Sequence, residues 1–275
     1  MKETAENRPP MPFTGVVLAA DRAAGDPVAR AAGQVCKSLT PVGGRPMVLR
    51  VIDALEDAQE IGEIVLCGPH RSAVEKEPEL HKWITSGAID WVEPQATPSA
   101  STYHVLQTLA EDKPALVTTA DHALLRGQVV DFFCSHARAA GCDVAAALTL
   151  YEAVRERYPA TRRTAIKLKD GAYCSCNLFA FLTFRARTAA DYWREVENQR
   201  KKTARMAATL GFSMVLRYMS GQLTLAKGLE GLSKRMGLRA GAVIMPFPEA
   251  AIDVDSVADW RLVEEIVAKR QVLDS

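Results

Sequence analysis

Short apolar runs alternate with helix-period segments along the first half of the chain. "GVVLAA" (15–20) reads as a buried strand, and a helix is predicted from Pro46 to about Gln59, with the proline in its first turn. "EIVLCG" (63–68) and "AIDWVE" (88–93) are further strands, followed by a helix from the serines near 99 to Ala110. "PALVTTA" (114–120), the helical "RGQVVDFFCSHARAAG" (126–141) and "DVAAALTL" (143–150) continue the alternation. Strand, helix, strand at these lengths predicts a mostly parallel sheet covered on both faces, a three-layer α/β fold of Rossmann-like type. The pattern then changes. "RRTAIKLKDGAYCSCNLFAFL" (162–182) reads as two strands around an Asp-Gly turn, and long helices are predicted over 188–210 and 213–236. "AGAVIMPF" (240–247) returns to a strand and "AIDVDS" (251–256) to a strand end. A helix over 257–269 follows, capped by Ser256 with Asp259 three residues on. This is a single domain over 14–275 behind a loose tail (1–13), with a mixed hairpin-plus-helices insertion at about 151–240.

Composition narrows the class without naming it. The 275 residues are 48% hydrophobic and carry a net charge of +1, so the chain as a whole has no general attraction to nucleic acid or to an anionic membrane. No apolar run approaches the roughly 18–20 residues of a membrane helix, so no stable membrane insertion is expected. The first residues lack the apolar core of a secretory signal. Six cysteines are scattered without a disulfide pattern; even Cys174 and Cys176 lack the further ligands a zinc site needs. They read as structural thiols in a reduced, cytoplasmic protein.

Ligands of open α/β sheets bind beyond the carboxyl ends of the strands, and four loops there carry chemistry. The first, after "GVVLAA", holds Arg22, Asp26, Arg30 and Lys37. It has neither a dinucleotide fingerprint nor a P-loop, yet small residues with mobile positive charge suit an anion as well as they suit a solvated surface loop. In "EPQATPSASTYHVL" the serines either cap a helix or offer hydroxyls to a ligand. In "VTTADHALL", Asp121 follows a buried strand, as a Mg²⁺ ligand or as a turn aspartate would. In "AIDVDSVADW", Asp253 and Asp255 point the same way if the segment is extended. Two such carboxylates need something positive between them, either a divalent ion or a lysine or arginine.

A strand ending "VLAA", a loop running to a lysine, "GGRPM" and a helix, then "PSASTYHVLQTL", "DHALL" and "DVDSVADW", resembles in order the motifs of the nucleotidyltransferase superfamily with the GT-A-like fold. The nearest resemblance is to the MobA-like NTP transferase family, which includes molybdenum-cofactor guanylyltransferases and cytidylyltransferases. The resemblance implies transfer of NMP from an NTP, CTP or GTP, to a small phosphorylated or lipid-like acceptor, with release of pyrophosphate. It implies Mg²⁺ held by Asp121 and Asp255, with Asp253 as the substitute for the latter. Leu18, Ala19, Ala20 and Asp21 would begin the triphosphate loop, and Arg22 and Lys37 would neutralise the α-phosphate. Gln95, Ser99 and Ser101 would read base and ribose, and Arg163, Lys167 and Asn177 would meet the acceptor. The 151–240 segment would bind that acceptor or form a homodimer interface. The sequence departs from the family pattern at Asp21, where the family has glycine, at Cys36 for the proline before the lysine, and at Ala123 for the proline of D-x-P-L-L. Asp21 leaves two alternatives: a loop rebuilt on another geometry, or a nucleotide-binding regulatory protein without activity. A GT-A glycosyltransferase is a third reading, weakened because its D-x-D would belong after a mid-domain strand.

Overall fold

The computed structural model describes residues 10–21, 25–199 and 211–273. β1 (Phe13–Leu18) is buried along its whole length, as a central strand must be. α1 (Pro27–Ala31) lies inside the long loop, and β2 (Pro41–Val42) and β3 (Arg45–Pro46) form a small ribbon before α2 (Met47–Glu56). Pro46 therefore ends β3 just outside the helix, and α2 stops three residues short of the expected Gln59. β4 (Ile61–Cys67), α3 (Arg71–Val74), α4 (Pro78–Thr85), β5 (Asp90–Val92) and α5 (Pro98–Thr108) follow. Next come β6 (Ala115–Thr119), α6 (Gly127–Ala139), β7 (Val144–Leu150) and α7 (Tyr151–Arg157). The hairpin strands are β8 (Ile166–Leu168) and β9 (Gly171–Phe181), and α8 (Arg187–Gln199) leaves them. The rest of the helix expected to reach 210 lies outside the described residues. The helix expected over 213–236 is two, α9 (Phe212–Met219) and α10 (Leu225–Met236), parted where Gly221 takes φ +66°. β10 (Ala240–Ile244) and α11 (Val257–Leu273) close the chain. The segment 251–256, expected to be a strand end, forms no strand. It is the tail of a short 3₁₀ turn and a loop.

One eight-stranded sheet runs β10-β7-β9-β6-β1-β4-β5, with β8 on the free side of β9. β6, β1, β4 and β5 are mutually parallel, as are β7 and β10, and β9 lies antiparallel between β6 and β7. The hairpin is thus stitched into the centre of the sheet, and the 151–240 segment is rooted there. Alternation along β1 sends Val17 to one core with Val51, Ile52 and Phe133 of α2 and α6, and Val16 and Leu18 to another with Val105 and Leu106 of α5. A third cluster joins Val28, Val42, Leu124 and Val254 to Val263 and Val267 of α11. It clamps the loop after β1, the loop after β6 and the C-terminal segment together. Gly43 completes the clamp: its φ is +58°, and a Cβ there would lie 2.6 Å from Val267 Cγ1. All six cysteines are buried free thiols, and burial pushes Cys67 up to about 11, as inert core residues would show.

Asp143 ties the edge of the sheet. It accepts the Arg239 backbone N–H at 2.7 Å and the Thr183 hydroxyl at 3.2 Å, joining the starts of β7 and β10 to the end of β9. The Arg239 N–H, against a partial burial cost, holds this carboxyl below the ordinary carboxylate value. A depressed folded value adds stability above the unfolded pKa and loses it as pH falls through the folded one. Asp143→Ala is expected to cost about 1–2 kcal/mol at neutral pH. In urea melts the difference from wild type should shrink below about pH 4, where the unfolded carboxyl protonates.

Candidate functional site

A cleft of about 520 Å³ opens beyond the carboxyl ends of β1 and β6. Leu18, Ala19, Ala20 and Asp21 line it as the strand runs out. The loop then goes out through α1 and returns at Lys37. Asp26 caps α1 by accepting the Val28 and Ala29 N–H groups at 2.8 and 3.2 Å, and the Arg30 guanidinium donates to the Gly25 carbonyl at 2.7 Å. Asp21 closes the base of the loop: its carboxylate accepts the backbone N–H of Lys37, 16 residues on, at 3.0 and 3.2 Å. Burial raises the Asp21 pKa, partly offset by that N–H. The residue in the glycine's place thus ties the two ends of the loop together. Arg22 lies outside the described residues.

Lys37 crosses the cleft. Its ammonium is 2.6 Å from Asp121 Oδ2 and 3.3 Å from Asp255 Oδ1, and its side chain is 17% exposed. Burial opposes the charge on Lys37, yet the Asp121 carboxylate more than compensates and its pKa lies above the ordinary lysine value. Burial likewise opposes charge on Asp121, and Lys37 holds that carboxyl below its ordinary value. The neighbouring His122 is buried, and desolvation lowers it to about 4, so it adds no charge beside Asp121 near neutrality. The Val254 N–H donates to the Asp121 carbonyl at 3.1 Å, which brings the 253–255 loop to the end of β6.

Asp253 has a different role from Asp255. One of its oxygens takes the Arg163 guanidinium and the other takes the Asn177 amide at 2.6 Å. Arg163, 9% exposed, also donates to the Asp253 carbonyl at 2.8 Å and to Asp259 Oδ1 at 2.6 Å. Ser256 Oγ donates to Asp259 Oδ2 at 2.7 Å and accepts the Asp259 N–H, so the expected cap forms and joins this network. Asn177 reaches Asp253 because the β7–β9 register slips between the Ala146–Phe179 and Leu148–Ser175 pairs and Asn177 takes φ +50°. Such a bulge re-aims a side chain out of the pleat.

The remaining sequence-predicted residues sit away from the cleft lining. Thr97, not a serine, caps α5 by accepting the Ala100 N–H at 3.2 Å. Ser101 Oγ accepts the Gln95 N–H at 2.9 Å, and buried Ser99 donates to Glu197 of α8. Gln95 and Lys167 are exposed. The cleft wall holds two aromatic residues that sequence reasoning missed, Phe179 and Trp193, with ring centroids 5.5 Å apart. Phe179 was findable as the i+2 neighbour of Asn177; nothing in the helical pattern marks Trp193.

Five carboxylates (Asp21, Asp26, Asp121, Asp253, Asp255) face the cleft, against Lys37 as the cation among its described lining residues. A polyanion would enter such a cleft only with cations. Among the described residues no group of three or more His, Cys, Asp or Glu side chains is placed to hold a metal. Mg²⁺, however, takes one or two carboxylates and completes its shell with water and substrate phosphates. Asp121 fits that demand, since its Oδ1 is buried with no protein hydrogen-bond partner, and so does Asp255, 62% exposed. Asp253, with both oxygens engaged, does not.

A mixed α/β sheet with a loop-wrapped cleft at its strand ends has the fold of the nucleotidyltransferases. The MobA-like NTP transferase domain matches residues 15–208, and the chain belongs to that family. It is similar to a hypothetical transferase from Thermus thermophilus, at 26% identity and a TM-score of 0.74, over 91% of this chain and 100% of that one. It shares its fold with CMP:2-keto-3-deoxy-manno-octonic acid synthetase complexed with CTP (13% identity, TM-score 0.55, 94% and 99% of the two chains). It also shares it with 4-diphosphocytidyl-2C-methyl-D-erythritol synthase from Anaerococcus prevotii (13%, 0.54, 94% and 96%). No curated protein matches the sequence. No described helix is long and apolar enough to cross a membrane.

Proposed function

We propose that the chain transfers NMP from an NTP to a small phosphorylated acceptor and releases pyrophosphate, in a Mg²⁺-dependent reaction. The observation that carries this reading is the Lys37 ammonium poised between Asp121 and Asp255 at the mouth of a long loop. The chemistry of the neighbours makes CTP the first nucleotide to try and GTP the second. Asp21, the departure that would favour an inactive nucleotide-binding protein, is spent on the loop's own backbone, which supports an active loop. Family membership favours nucleotidyl over glycosyl transfer.

The triphosphate would lie along Ala19–Asp21 and the returning Lys37, and Asp121 and Asp255 would hold the metal. Bound there, Mg²⁺ would supply charge neutralisation between nucleotide and acceptor phosphates. As phosphate oxygens arrive, Lys37 exchanges its carboxylate partners for the α-phosphate, where negative charge shifts in the transition state. The acceptor, lodged against Phe179, Trp193 and Asn177, presents a phosphate oxygen to the α-phosphorus. That oxygen forms the new P–O bond, the bond to the β-phosphate breaks, and pyrophosphate leaves with the electron pair. The attacking oxygen is already anionic, so alignment replaces a general base. Arg163 acts from behind by fixing Asp253, and Lys167 has no part in this proposal.

Pyrophosphate release from CTP and GTP, with Mg²⁺ and pooled phosphorylated acceptors, tests the reading. Activity should need all three components; its absence across the pool, together with no thermal stabilisation by Mg²⁺-NTP, would sink it. Asp121→Asn should raise the Mg²⁺ concentration for half-maximal rate at least about tenfold. An unchanged metal dependence would remove Asp121 from the metal site.

A further inference from the structure

The net charge of +1 conceals a separation. Among the described residues 211–239 there are five basic residues and one acidic residue, so that stretch carries +4 and the remainder of the chain −3. Within it α9 is amphipathic but unburied on its outer side. Met214 packs toward Gly231 of α10, whereas Phe212, Leu216 and Met219 are 77%, 57% and 80% exposed. Their i, i+4, i+7 spacing puts all three on one stripe. Arg217 of the same helix and Lys227, Lys234 and Arg235 of α10 are the basic groups around it. Glu230, the single acid of the stretch, is held below its ordinary pKa by a hydrogen bond from Lys234 at 2.5 Å, with Lys227 and Arg217 adding their fields. The Arg235 side chain packs on Gly211 at the start of α9.

We propose that this face docks on an anionic lipid surface, with Phe212, Leu216 and Met219 at headgroup depth and the surrounding lysines and arginines on the lipid charges. An exposed apolar stripe inside a cationic field is the signature of an interfacial helix. Two other occupants fit less well. A two-fold dimer through this face would bring identical +4 segments together, and a phosphate backbone would leave Leu216 and Met219 in water. The inference rests on surface chemistry alone and stands whether or not the cleft transfers nucleotides.

The test is co-sedimentation of the full chain with vesicles of phosphatidylcholine, alone or mixed with phosphatidylglycerol. Wild type should sediment with the mixed vesicles, not with phosphatidylcholine alone, and lose binding as salt rises. Phe212→Ser with Met219→Ser, and separately Arg217→Glu with Lys227→Glu, should each weaken it on the order of tenfold or more. All four positions are exposed, so circular dichroism and melting should stay as in wild type. No binding to the anionic vesicles, or binding that ignores both double variants, would overturn the proposal. So would tight binding to an RNA or DNA oligonucleotide that survives Phe212→Ser/Met219→Ser. A wild-type dimer that this same variant makes monomeric would overturn it as well.

Discussion

Lys37→Ala should lower kcat by about 10²–10³-fold while KM for the nucleotide changes far less. In the resting protein the ammonium is spent on Asp121 and Asp255. In the proposed reaction it would gain its full worth only on meeting charge shifting at the α-phosphate, and an interaction made chiefly in the transition state appears in kcat. The same variant has a second signature. Without Lys37, two carboxylates face each other with no cation between them, one with its oxygens largely buried. The metal-free protein should melt earlier, by about 1–3 kcal/mol of lost stability. Added Mg²⁺ should then restore more stability to the variant than it adds to wild type. Steady-state kinetics and melting with and without Mg²⁺ check both. A rise in KM alone would make Lys37 a ground-state anchor.

Arg163→Met should be the most destabilising single substitution near the cleft, by about 3 kcal/mol or more. The guanidinium is nearly enclosed and serves the Asp253 carboxylate, the Asp253 carbonyl and Asp259 together. Removing it leaves two carboxylates with polar partners but no cation, and frees the loop that carries Asp255 to Lys37. Activity should fall with stability, and Arg163→Lys should rescue little, because an ammonium cannot span three acceptors in a plane. Asn177→Ala, which loses one bond to Asp253, should cost about 1 kcal/mol. Chemical denaturation measures these differences, and a near-neutral Arg163→Met would refute the buried-network account.

Much of this was legible in the residues. Apolar runs such as "VVL" and "ALV" mark two-sided strands, and the i, i+2 pair Asp253 and Asp255 demanded a positive partner. Both partners are present: arginine for Asp253, and lysine for Asp255 at the place suited to a metal. What stayed hidden depended on non-local pairing. Period-2 alternation in 171–181 predicts a strand, but not that it runs antiparallel between β6 and β7. The Asn177 bulge arises only from that register. Asp21 read as a broken motif because its partner, the Lys37 N–H, lies 16 residues away. For Ser99 and Ser101 the residues leave cap and ligand hydroxyl open, because Glu197 and the Gln95 N–H cannot be seen from their own helix turn.

Lys37, Asp121 and Asp255 are proposed to serve attack at an α-phosphorus. The direct measurement is the fate of label from α-labelled CTP or GTP incubated with Mg²⁺, phosphorylated acceptors and either wild type or Lys37→Ala. The account predicts that wild type moves the α-label onto an acceptor with one pyrophosphate released per transfer, and that Lys37→Ala is slower by at least about a hundredfold. Release of orthophosphate from the γ-position with the α-label left on a nucleoside diphosphate, or equal transfer by the variant, would contradict it.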